Sequence, residues 1–338
     1  MPHLSTNPAD YEDLENESAH RKRKGARVIR SKHALLAEAT IKTSLQDLGA
    51  DEVFTPSLSF SHHEREWIFS YLSPFYENQI ISDVLRRAKG GKEANVYVCR
   101  AHPSQGQDYL AAKLYRPRMM RNLRNDARYR QNRVILGEDG KEITNSGMLH
   151  AVAKGTSFGK ELAHVSWLQH EYITLQRLFE AGVPVPEPVA SSGNAILMNY
   201  IGDLDLPAPT LVETSLSAAQ ARRCFEELIH ALEMMLASGV IHADLSAYNV
   251  LWWDEAPTII DFPQAVSPYR NPEAEDILRR DIERLCEHFE RYGIRTNIRQ
   301  LAKNLWQKYG PQSNMLDLEA TLSRFAVEVE EEQEEPLE

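Results

Sequence analysis

Three polar residues, Asp244, Asn249 and Asp261, interrupt stretches that otherwise have the apolar character of buried strands. Val250–Trp253 and Thr258–Ile260 are short β-rich runs separated by a turn signal, so they predict a hairpin. A hairpin brings the start of its first strand beside the end of its second. Asn249 then lies next to Asp261, and Asp244 lies on the loop leading in. Such oxygen ligands suit Mg²⁺, which binds few protein carboxylates and keeps its other coordination positions for water and substrate phosphates. The alternative explanation is that the three residues are ordinary polar residues in turns beside a core hairpin.

The spacing between Asp244 and Asn249, D-x-x-x-x-N, is typical of the catalytic loop of kinases. Lys113 adds to this pattern because it lies inside an apolar run, residues 110–114, and needs a partner if it faces inward. Glu171, on a helix predicted over Ser166–Ala181, is the natural candidate. A strand lysine held by a helix glutamate contacts the phosphates of ATP in kinases. The alternative leaves Lys113 pointing to solvent from an edge strand.

Two glycines, Gly90 and Gly91, precede a predicted strand, and Lys92 follows them. Glycine lets backbone N–H groups approach a phosphate, and Lys92 would add positive charge. The sequence differs from G-x-G-x-x-G, so taken alone an ordinary glycine turn explains it better.

The remaining pattern predicts an α+β protein with a strand-rich first lobe and a compact helical second lobe. Residues 1–60 are polar and weakly periodic and are predicted to be mostly disordered, apart from a helix around Lys32–Leu48. The first lobe would cover 61–198, with a basic insertion near 115–150, and the second 199–327. The predicted strands are Asn95–Arg100, Tyr109–Tyr115 and Ala195–Ile201, and the predicted helices are His63–Leu72, Ser166–Ala181, a helix capped by Ser217 that ends near Gly239, Asp276–Tyr292 and Ile298–Tyr309.

Composition is that of a soluble globular protein, with 338 residues, 42% of them hydrophobic. No apolar run of 18 residues predicts a membrane span, and three widely spaced cysteines indicate reduced core residues of a cytoplasmic protein. The net charge of −11 includes seven glutamates in an acidic, disordered tail at 328–338. By contrast, Tyr115–Arg133 holds seven arginines and one aspartate, which indicates a local anion site.

Several segments together resemble the RIO family of atypical serine/threonine protein kinases, in a form like its bacterial members, over roughly residues 75–290. These segments are GKEANVY at 91–97, MNYIG at 198–202, PAP at 207–209, HADLSAYNVL at 242–251 and IIDFPQAV at 259–266. The chain departs from the general kinase pattern in three ways. It has His-Ala-Asp in place of His-Arg-Asp, Pro263 after Phe262, and no Ala-Pro-Glu. Only 77 residues follow Asp261, too few for a full activation segment and peptide-docking subdomain.

The resemblance implies a two-lobed protein-kinase-like fold that uses ATP with Mg²⁺ or Mn²⁺. Lys113 would contact the nucleotide phosphates and be held by Glu171, with Gly90, Gly91 and Lys92 in the glycine turn. Asn199 and Ile201 would bind adenine through backbone C=O and N–H. Asp244 would be the catalytic base or orient the acceptor, and Asn249 and Asp261 would hold the metal. Asp261 is also the position at which the family is associated with an aspartyl-phosphate intermediate.

Three alternatives stand beside a RIO-type protein kinase. Small-molecule phosphotransferases of the aminoglycoside or choline type share a His-x-Asp…Asn…Ile-Asp-Phe pattern, but GKEANVY and DFPQAV favour RIO. A degenerate kinase could act as a scaffold, although all five chemistry-bearing residues are present. Within the RIO family, an ATPase that drives maturation of the small ribosomal subunit remains open. Arg116–Arg133 could then contact RNA or that subunit.

The 57 residues between Lys113 and Glu171 exceed a usual strand-to-helix connection. They contain the basic block and four hydroxyl residues, which as a tethered segment would have a high effective concentration at the active site. We therefore predict autophosphorylation at one or more of Thr144, Ser146, Thr156 and Ser157. The alternative is a plain surface loop followed by a helix packed on the first lobe.

Overall fold

The computed structural model describes residues 54–60, 62–91, 94–115, 133–137 and 139–311. Several sequence predictions lie outside these ranges, namely the N-terminal extension before residue 54 with its helix around Lys32–Leu48, Lys92, residues 116–132 of the basic block, and the acidic tail at 328–338.

The elements alternate between strands and helices in the first part of the chain and are mostly helical in the second. In order they are helix α1 (His62–Glu77), strands β1 (Ile81–Gly90), β2 (Ala94–Ala101) and β3 (Tyr109–Tyr115), helices α2 (Ser146–Ala153) and α3 (Ser157–Glu180), strands β4 (Pro188–Ser192) and β5 (Ala195–Asn199), helix α4 (Ala218–Ala237), strands β6 (Val250–Trp253) and β7 (Ala256–Ile259), and helices α5 (Ala274–Glu290) and α6 (Ile298–Tyr309).

Five strands form one sheet in the order β1-β2-β3-β5-β4, with every neighbouring pair antiparallel. The strands predicted at β2, β3 and β5 are confirmed, whereas β1 and β4 were not predicted. Because β3 pairs with a strand on each side, Lys113 lies on a central strand, and the edge-strand alternative for it is wrong.

The two faces of this sheet carry different partners, as the period of two along a strand requires. Leu110, Ala112 and Leu114 of β3 pack into a core with Ile68 and Leu72 of α1. Residues of the opposite face, Tyr115 and Ile196, pack against Trp167 and Leu168 of α3. Lys113 is two residues before Tyr115, so it lies on the face that α3 covers.

Helix α3 begins at Ser157, nine residues before the predicted start at Ser166. Thr156 is its N-cap, and the Thr156 side chain accepts a hydrogen bond from the Gly159 N–H. Helix α2, which was not predicted, precedes it and is capped in the same way by Asn145. The described part of the connection between Lys113 and Glu171 is therefore largely helical.

The helical part has one core of its own, built by α4, α5 and the β6–β7 hairpin. Helix α4 is confirmed with its capping box, in which Ser217 and Gln220 satisfy each other's backbone N–H groups. The hairpin is also confirmed, but its turn is shorter than predicted. Asp254 and Glu255 both have left-handed backbones, with φ of 48° and 58°, and β7 starts directly after them at Ala256. Among the described residues, no helix has the length and apolar character that crossing a membrane requires.

Candidate active site

The site centres on Lys113, which bridges two carboxylates. Its Nζ lies 2.6 Å from Glu171 Oε1 and 2.6 Å from Asp261 Oδ1. The Lys113 side chain is 12% exposed and that of Glu171 is 4% exposed, whereas Asp261 is 45% exposed. The arrangement therefore has a buried end at Glu171 and an open end at Asp261. The sequence predicted the Lys113–Glu171 pair, and the structure brings both residues together with Asp261.

Tyr115 adds a second partner for the buried glutamate. Its hydroxyl donates to Glu171 Oε2, and its ring lies edge-on to Trp167, four residues before Glu171 on α3. Residues four apart share one face of a helix, so α3 presents the glutamate and the ring that packs beside it from one face. Tyr115 was not identified as a site residue, although its position two residues after Lys113 places both on the same face of β3.

Electrostatics favour the charged forms of Lys113 and Asp261. Burial by itself would lower the pKa of Lys113, but the Asp261 and Glu171 carboxylates outweigh it and hold that pKa well above its usual range. For Asp261, desolvation would raise the pKa, and the neighbouring Lys113 ammonium outweighs this and lowers it. Asp261 is thus present as a carboxylate, the form that a divalent cation binds.

The loop before the hairpin is fixed by a buried histidine. His242 Nε2 lies 3.0 Å from the Ile260 carbonyl, and the Asp244 N–H donates to His242 Nδ1 over 3.3 Å. These partners assign the neutral tautomer with its proton on Nε2, and burial lowers the pKa of His242, which agrees with that form. His242 therefore ties the Asp244 loop to the strand that leads into Asp261.

Asn249 connects the same loop to the hairpin. Its Nδ2 donates to the Asp244 carbonyl over 2.9 Å, and its own carbonyl accepts from the Ile260 N–H over 3.0 Å. Val250 pairs with Ile259 in the hairpin register, so Asn249 and Asp261 follow on adjacent positions as predicted. With Nδ2 donating to the Asp244 carbonyl, Asn249 Oδ1, the one side-chain atom of an amide that can bind a cation, is left for that role.

This donor set fits Mg²⁺ or Mn²⁺. One amide oxygen and one half-exposed carboxylate are hard oxygen ligands, and Mg²⁺ is typically bound by one or two carboxylates together with substrate phosphates. Among the described residues there is no group of three His, Cys, Asp or Glu side chains arranged to hold a metal. The residues present therefore suit a cation that shares its coordination with a phosphate.

Helix α5 holds the other side of the Asp244 loop, a contact that was not predicted from the sequence. Asp281, which is fully buried, accepts from the Ala243 N–H over 2.7 Å and from the Leu245 N–H over 3.3 Å. Arg280 donates to the Ala243 carbonyl. Ala243 has a left-handed backbone with φ of 69°, which is uncommon outside glycine, and these contacts stabilise it. Arg284, one turn further along, donates to Asp244 Oδ1 over 2.7 Å.

The end of the basic block reaches the segment after Asp261. The Arg133 guanidinium donates to the Pro263 carbonyl over 3.3 Å and to the Ala265 carbonyl. Next to it, His170 Nε2 lies 2.8 Å from the Val134 carbonyl. The described end of the insertion therefore packs between α3 and the Asp261 segment.

Two predicted adenine contacts lie where β5 leads into the second lobe. The Asn199 N–H donates to the Glu187 carbonyl over 2.8 Å, and the Ile201 carbonyl accepts from the Ala208 N–H over 3.0 Å. In the part of the chain that the structure describes, the Ile201 N–H has no hydrogen-bond partner. Arg86 of β1 reaches the same connector through the Tyr200 hydroxyl, 2.8 Å away.

The glycine turn links β1 to β2. A Cβ at Gly91 would lie 2.8 Å from the Ala94 carbonyl oxygen, so this position has no room for a side chain. Gly90 pairs with Asn95 across the two strands, and a Cβ there would meet nothing closer than 3.8 Å. The geometry thus explains Gly91 by close packing of the turn, while Lys92 lies outside the described residues.

Comparisons with known proteins agree on one family. The RIO domain model matches residues 95–301. Serine/threonine-protein kinase RIO1 of Chaetomium thermophilum is 28% identical over 287 residues, which are 77% of this chain and 50% of that protein. RIO-type serine/threonine-protein kinase Rio1 of Thermoplasma acidophilum is 34% identical over 131 residues, which are 39% of this chain and 67% of that protein. The chain thus spans half the length of the first relative.

A solved structure supports the same conclusion for the fold. The crystal structure of the Rio2 kinase from Chaetomium thermophilum aligns over 98% of this chain and 97% of its own, with a TM-score of 0.50 and 19% identity. The predicted two-lobed, protein-kinase-like α+β fold is confirmed. Since the domain model matches more than half of the sequence, the chain belongs to the RIO domain family.

Proposed function

We propose that the chain is an ATP- and Mg²⁺-dependent serine/threonine protein kinase of the RIO type. The observation that carries this proposal is the bridge from Glu171 through Lys113 to Asp261, next to a loop that holds Asp244. In kinases, a strand lysine held by a helix glutamate binds nucleotide phosphates beside a metal-binding aspartate. Membership of a family whose named relatives are serine/threonine kinases supports the same assignment.

Each residue of the site has a task in this proposal. Lys113 binds the α- and β-phosphates while Glu171 keeps its ammonium in place, and the turn at Gly90, Gly91 and Lys92 covers the phosphates. Adenine is bound by the Asn199 carbonyl and the Ile201 N–H; the absence of a partner for that N–H among the described residues supports this. Asn249 Oδ1 and the Asp261 carboxylate hold Mg²⁺ or Mn²⁺, which supplies charge neutralisation at the phosphates when bound.

Transfer then needs an acceptor hydroxyl beside Asp244. The acceptor oxygen forms a bond to the γ-phosphorus as the bond to the β,γ-bridging oxygen breaks, and ADP leaves with that oxygen. Asp244 orients the hydroxyl and takes its proton. The protein contributes mainly by positioning, because phosphoryl transfer requires little covalent chemistry from it.

The same proposal divides the chain into a first lobe over 61–198 and a second over 199–327. The structure describes buried, unpaired thiols at Cys99, Cys224 and Cys286, and such thiols support a location in the reducing cytoplasm. Contact of Arg116–Arg133 with RNA or the small ribosomal subunit stays a prediction, since residues 116–132 lie outside the described ranges.

Two substitutions test the assignment. Asp261→Ala removes a metal ligand, so we expect weaker binding of Mg-ATP. Asp244→Ala leaves binding near that of the wild type and lowers kcat by about 100-fold or more. Asp276→Ala, an exposed aspartate of α5, is the control and should keep wild-type turnover. Equal binding defects in the Asp261 and Asp244 variants would show that the two roles are wrongly assigned.

Labelled ATP decides between kinase and ATPase. Stable label on serine or threonine supports the kinase. Acid-labile label on Asp261 supports an aspartyl-phosphate intermediate, and free phosphate alone supports simple hydrolysis. Retention of full turnover by both alanine variants would refute the proposed site altogether.

A further inference from the structure

The Asp244 carboxylate has a partner that the proposed reaction has not yet used. Arg284 Nη1 lies 2.7 Å from Asp244 Oδ1, and among the described residues it is the only side chain that hydrogen-bonds this carboxylate. The two side chains are 41% and 46% exposed, and ion pairs this exposed contribute little to stability. A role in positioning explains the contact better than a role in folding.

The backbone of Asp244 is already fixed on both sides. Its N–H donates to His242 Nδ1, and its carbonyl accepts from Asn249 Nδ2. With the backbone held by these bonds, the remaining conformational freedom of this residue is rotation about its side-chain bonds, which moves the carboxylate. Arg284 removes that freedom by holding Oδ1, so that Oδ2 stays available for an acceptor hydroxyl.

Helix α5 holds Arg284 in a defined position relative to the Asp244 loop, because two neighbouring residues on the same face of the helix also bind that loop. Arg280 and Arg284 are four residues apart and Asp281 is three residues before Arg284, so all three project from one side of the helix. Arg280 and Asp281 bind the backbone of Ala243, the residue directly before Asp244. The loop itself, HADLSAYNVL, has no lysine or arginine, so α5 supplies the positive charge beside its aspartate.

We propose that Arg284 is a positioning residue for phosphoryl transfer, acting through the carboxylate of Asp244. This inference rests on the proposed function, because it assumes that Asp244 is the group that orients the acceptor. Misplacing a reacting group by about 1 Å can reduce the rate by about 100-fold, so loss of the Arg284 contact should appear in kcat and not in nucleotide binding.

The test compares Arg284→Ala and Arg284→Lys with Arg279→Ala in the full chain. Arg279 is a matched control, since it lies on the same helix, is 44% exposed and pairs with Asp276 and Glu283, away from Asp244. We expect Arg284→Ala to lower kcat by about 10-fold to 100-fold, with the Kd for Mg-ATP within about twofold of wild type. Arg284→Lys should recover part of the loss, and added methylguanidine should rescue Arg284→Ala but not Asp244→Ala.

Three kinetic outcomes would overturn the inference: wild-type kcat in Arg284→Ala, an equal loss in Arg279→Ala, or faster turnover without Arg284. The last would show that Arg284 blocks Asp244. Hydrogen exchange needs no turnover and therefore separates this inference from the proposed function. Because His242, Asn249 and Asp281 still hold the loop backbone, we expect the amides of residues 243–249 to exchange alike in wild type, Arg284→Ala and Arg279→Ala. If the wild type turned over no ATP, the proposed function would fail, whereas faster exchange at 243–249 in Arg284→Ala would show that Arg284 holds the backbone and would independently reject its role through the Asp244 carboxylate.

Discussion

Replacing Lys113 by methionine tests two contributions of the buried bridge, one to the stability of the fold and one to the binding of ATP. The substitution keeps most of the apolar stem and removes the ammonium that lies 2.6 Å from both Glu171 and Asp261. Asp261 is 45% exposed, so water can solvate its carboxylate afterwards. Glu171 is 4% exposed and keeps the Tyr115 hydroxyl as a partner for one oxygen. The cost therefore falls mainly on Glu171.

The size of that cost follows from the burial of the glutamate. Breaking a buried ion pair by removing one partner costs about 3–5 kcal/mol, and leaving a buried polar group unsatisfied costs about 1–3 kcal/mol. Because Tyr115 still satisfies one oxygen, we expect Lys113→Met to lower the free energy of unfolding by about 3 kcal/mol, at the lower end of the range for broken pairs. A change of this size corresponds to a fall in Tm of roughly 6–12 °C for a domain of this size.

Glu171→Gln provides the second half of a double-mutant cycle. It removes the charge that Lys113→Met leaves uncompensated, so the double variant should be more stable than Lys113→Met alone. We expect the two changes to be non-additive by about 1–3 kcal/mol, as for residues in direct contact. Both Lys113→Met and the double variant should bind Mg-ATP poorly and have low kcat, because neither has the ammonium proposed to bind the phosphates.

Urea unfolding at equal m-values measures the stability changes, and equilibrium binding of Mg-ATP measures the functional loss. Lys141→Met is the control: Lys141 is 85% exposed and 3.9 Å from Asp139, so its loss should cost no more than about 0.5 kcal/mol. Additive effects in the cycle, or normal stability and kinetics in Lys113→Met, would refute the buried-bridge argument.

Two further predictions concern other parts of the molecule. After treatment with Mg-ATP, mass spectrometry should find phosphate on one or more exposed hydroxyls at the starts of α2 and α3, because helix N-termini favour an anion. The Asp244→Ala variant should show no such phosphate. Phosphate found only in solution or on Asp261 would contradict this prediction. These hydroxyls are Thr144, Ser146, Thr156 and Ser157. Burial raises the pKa of Asp281 to about 7, so the native chain binds a proton that the unfolded chain releases near its usual pKa. The contribution of this group to the free energy of unfolding is therefore lost as pH rises through about 7. Between about pH 5 and 8, the free energy of unfolding measured in urea should fall by roughly 3 kcal/mol more for wild type than for Asp281→Asn. Parallel pH profiles of the two proteins would contradict this prediction.

Those contacts of the site that depend on residue type and on neighbouring residues in the sequence could be predicted. Asn249 and Asp261 lie beside each other because a short hairpin joins them, and hairpin signals are local. Lys113 and Glu171 are distant in sequence, yet they were paired correctly because a lysine inside an apolar strand needs a buried partner. In both cases the residue type and its immediate neighbours contain the physical reason for the contact.

Elements whose stability comes from tertiary contacts were missed or shortened. Strand β1 contains Arg86, Arg87 and Lys89 and has irregular register with β2, so it lacks the apolar alternation of a strand. Strand β4 starts at Pro188 and is only five residues long. The first turns of α3 carry few buried residues, and the Thr156 cap marks its start more clearly than the hydrophobic pattern does.

The contacts between α5 and the Asp244 loop could not be predicted for a different reason. In the sequence, Arg280, Asp281 and Arg284 look like any charges on an amphipathic helix, and nothing distinguishes them from Asp276 or Glu283. What distinguishes them is a backbone about 40 residues away, where Ala243 has a left-handed conformation. Its N–H and carbonyl are both bound by α5, and the next residue is the aspartate that Arg284 holds.

Asp261, on the opposite side of the site, likewise combines a left-handed backbone with a carboxylate held by a cationic side chain. It too has a left-handed backbone, with φ of 75°, and its carboxylate is bound by Lys113 from the sheet. The segment that follows it is bound through its carbonyls by Arg133. Non-glycine residues in this conformation persist where surrounding contacts enforce it. The two aspartates proposed to act on ATP are therefore each fixed by a cation from a different element, Asp244 by helix α5 and Asp261 by strand β3, and movement between these two elements would change the distance between the carboxylates.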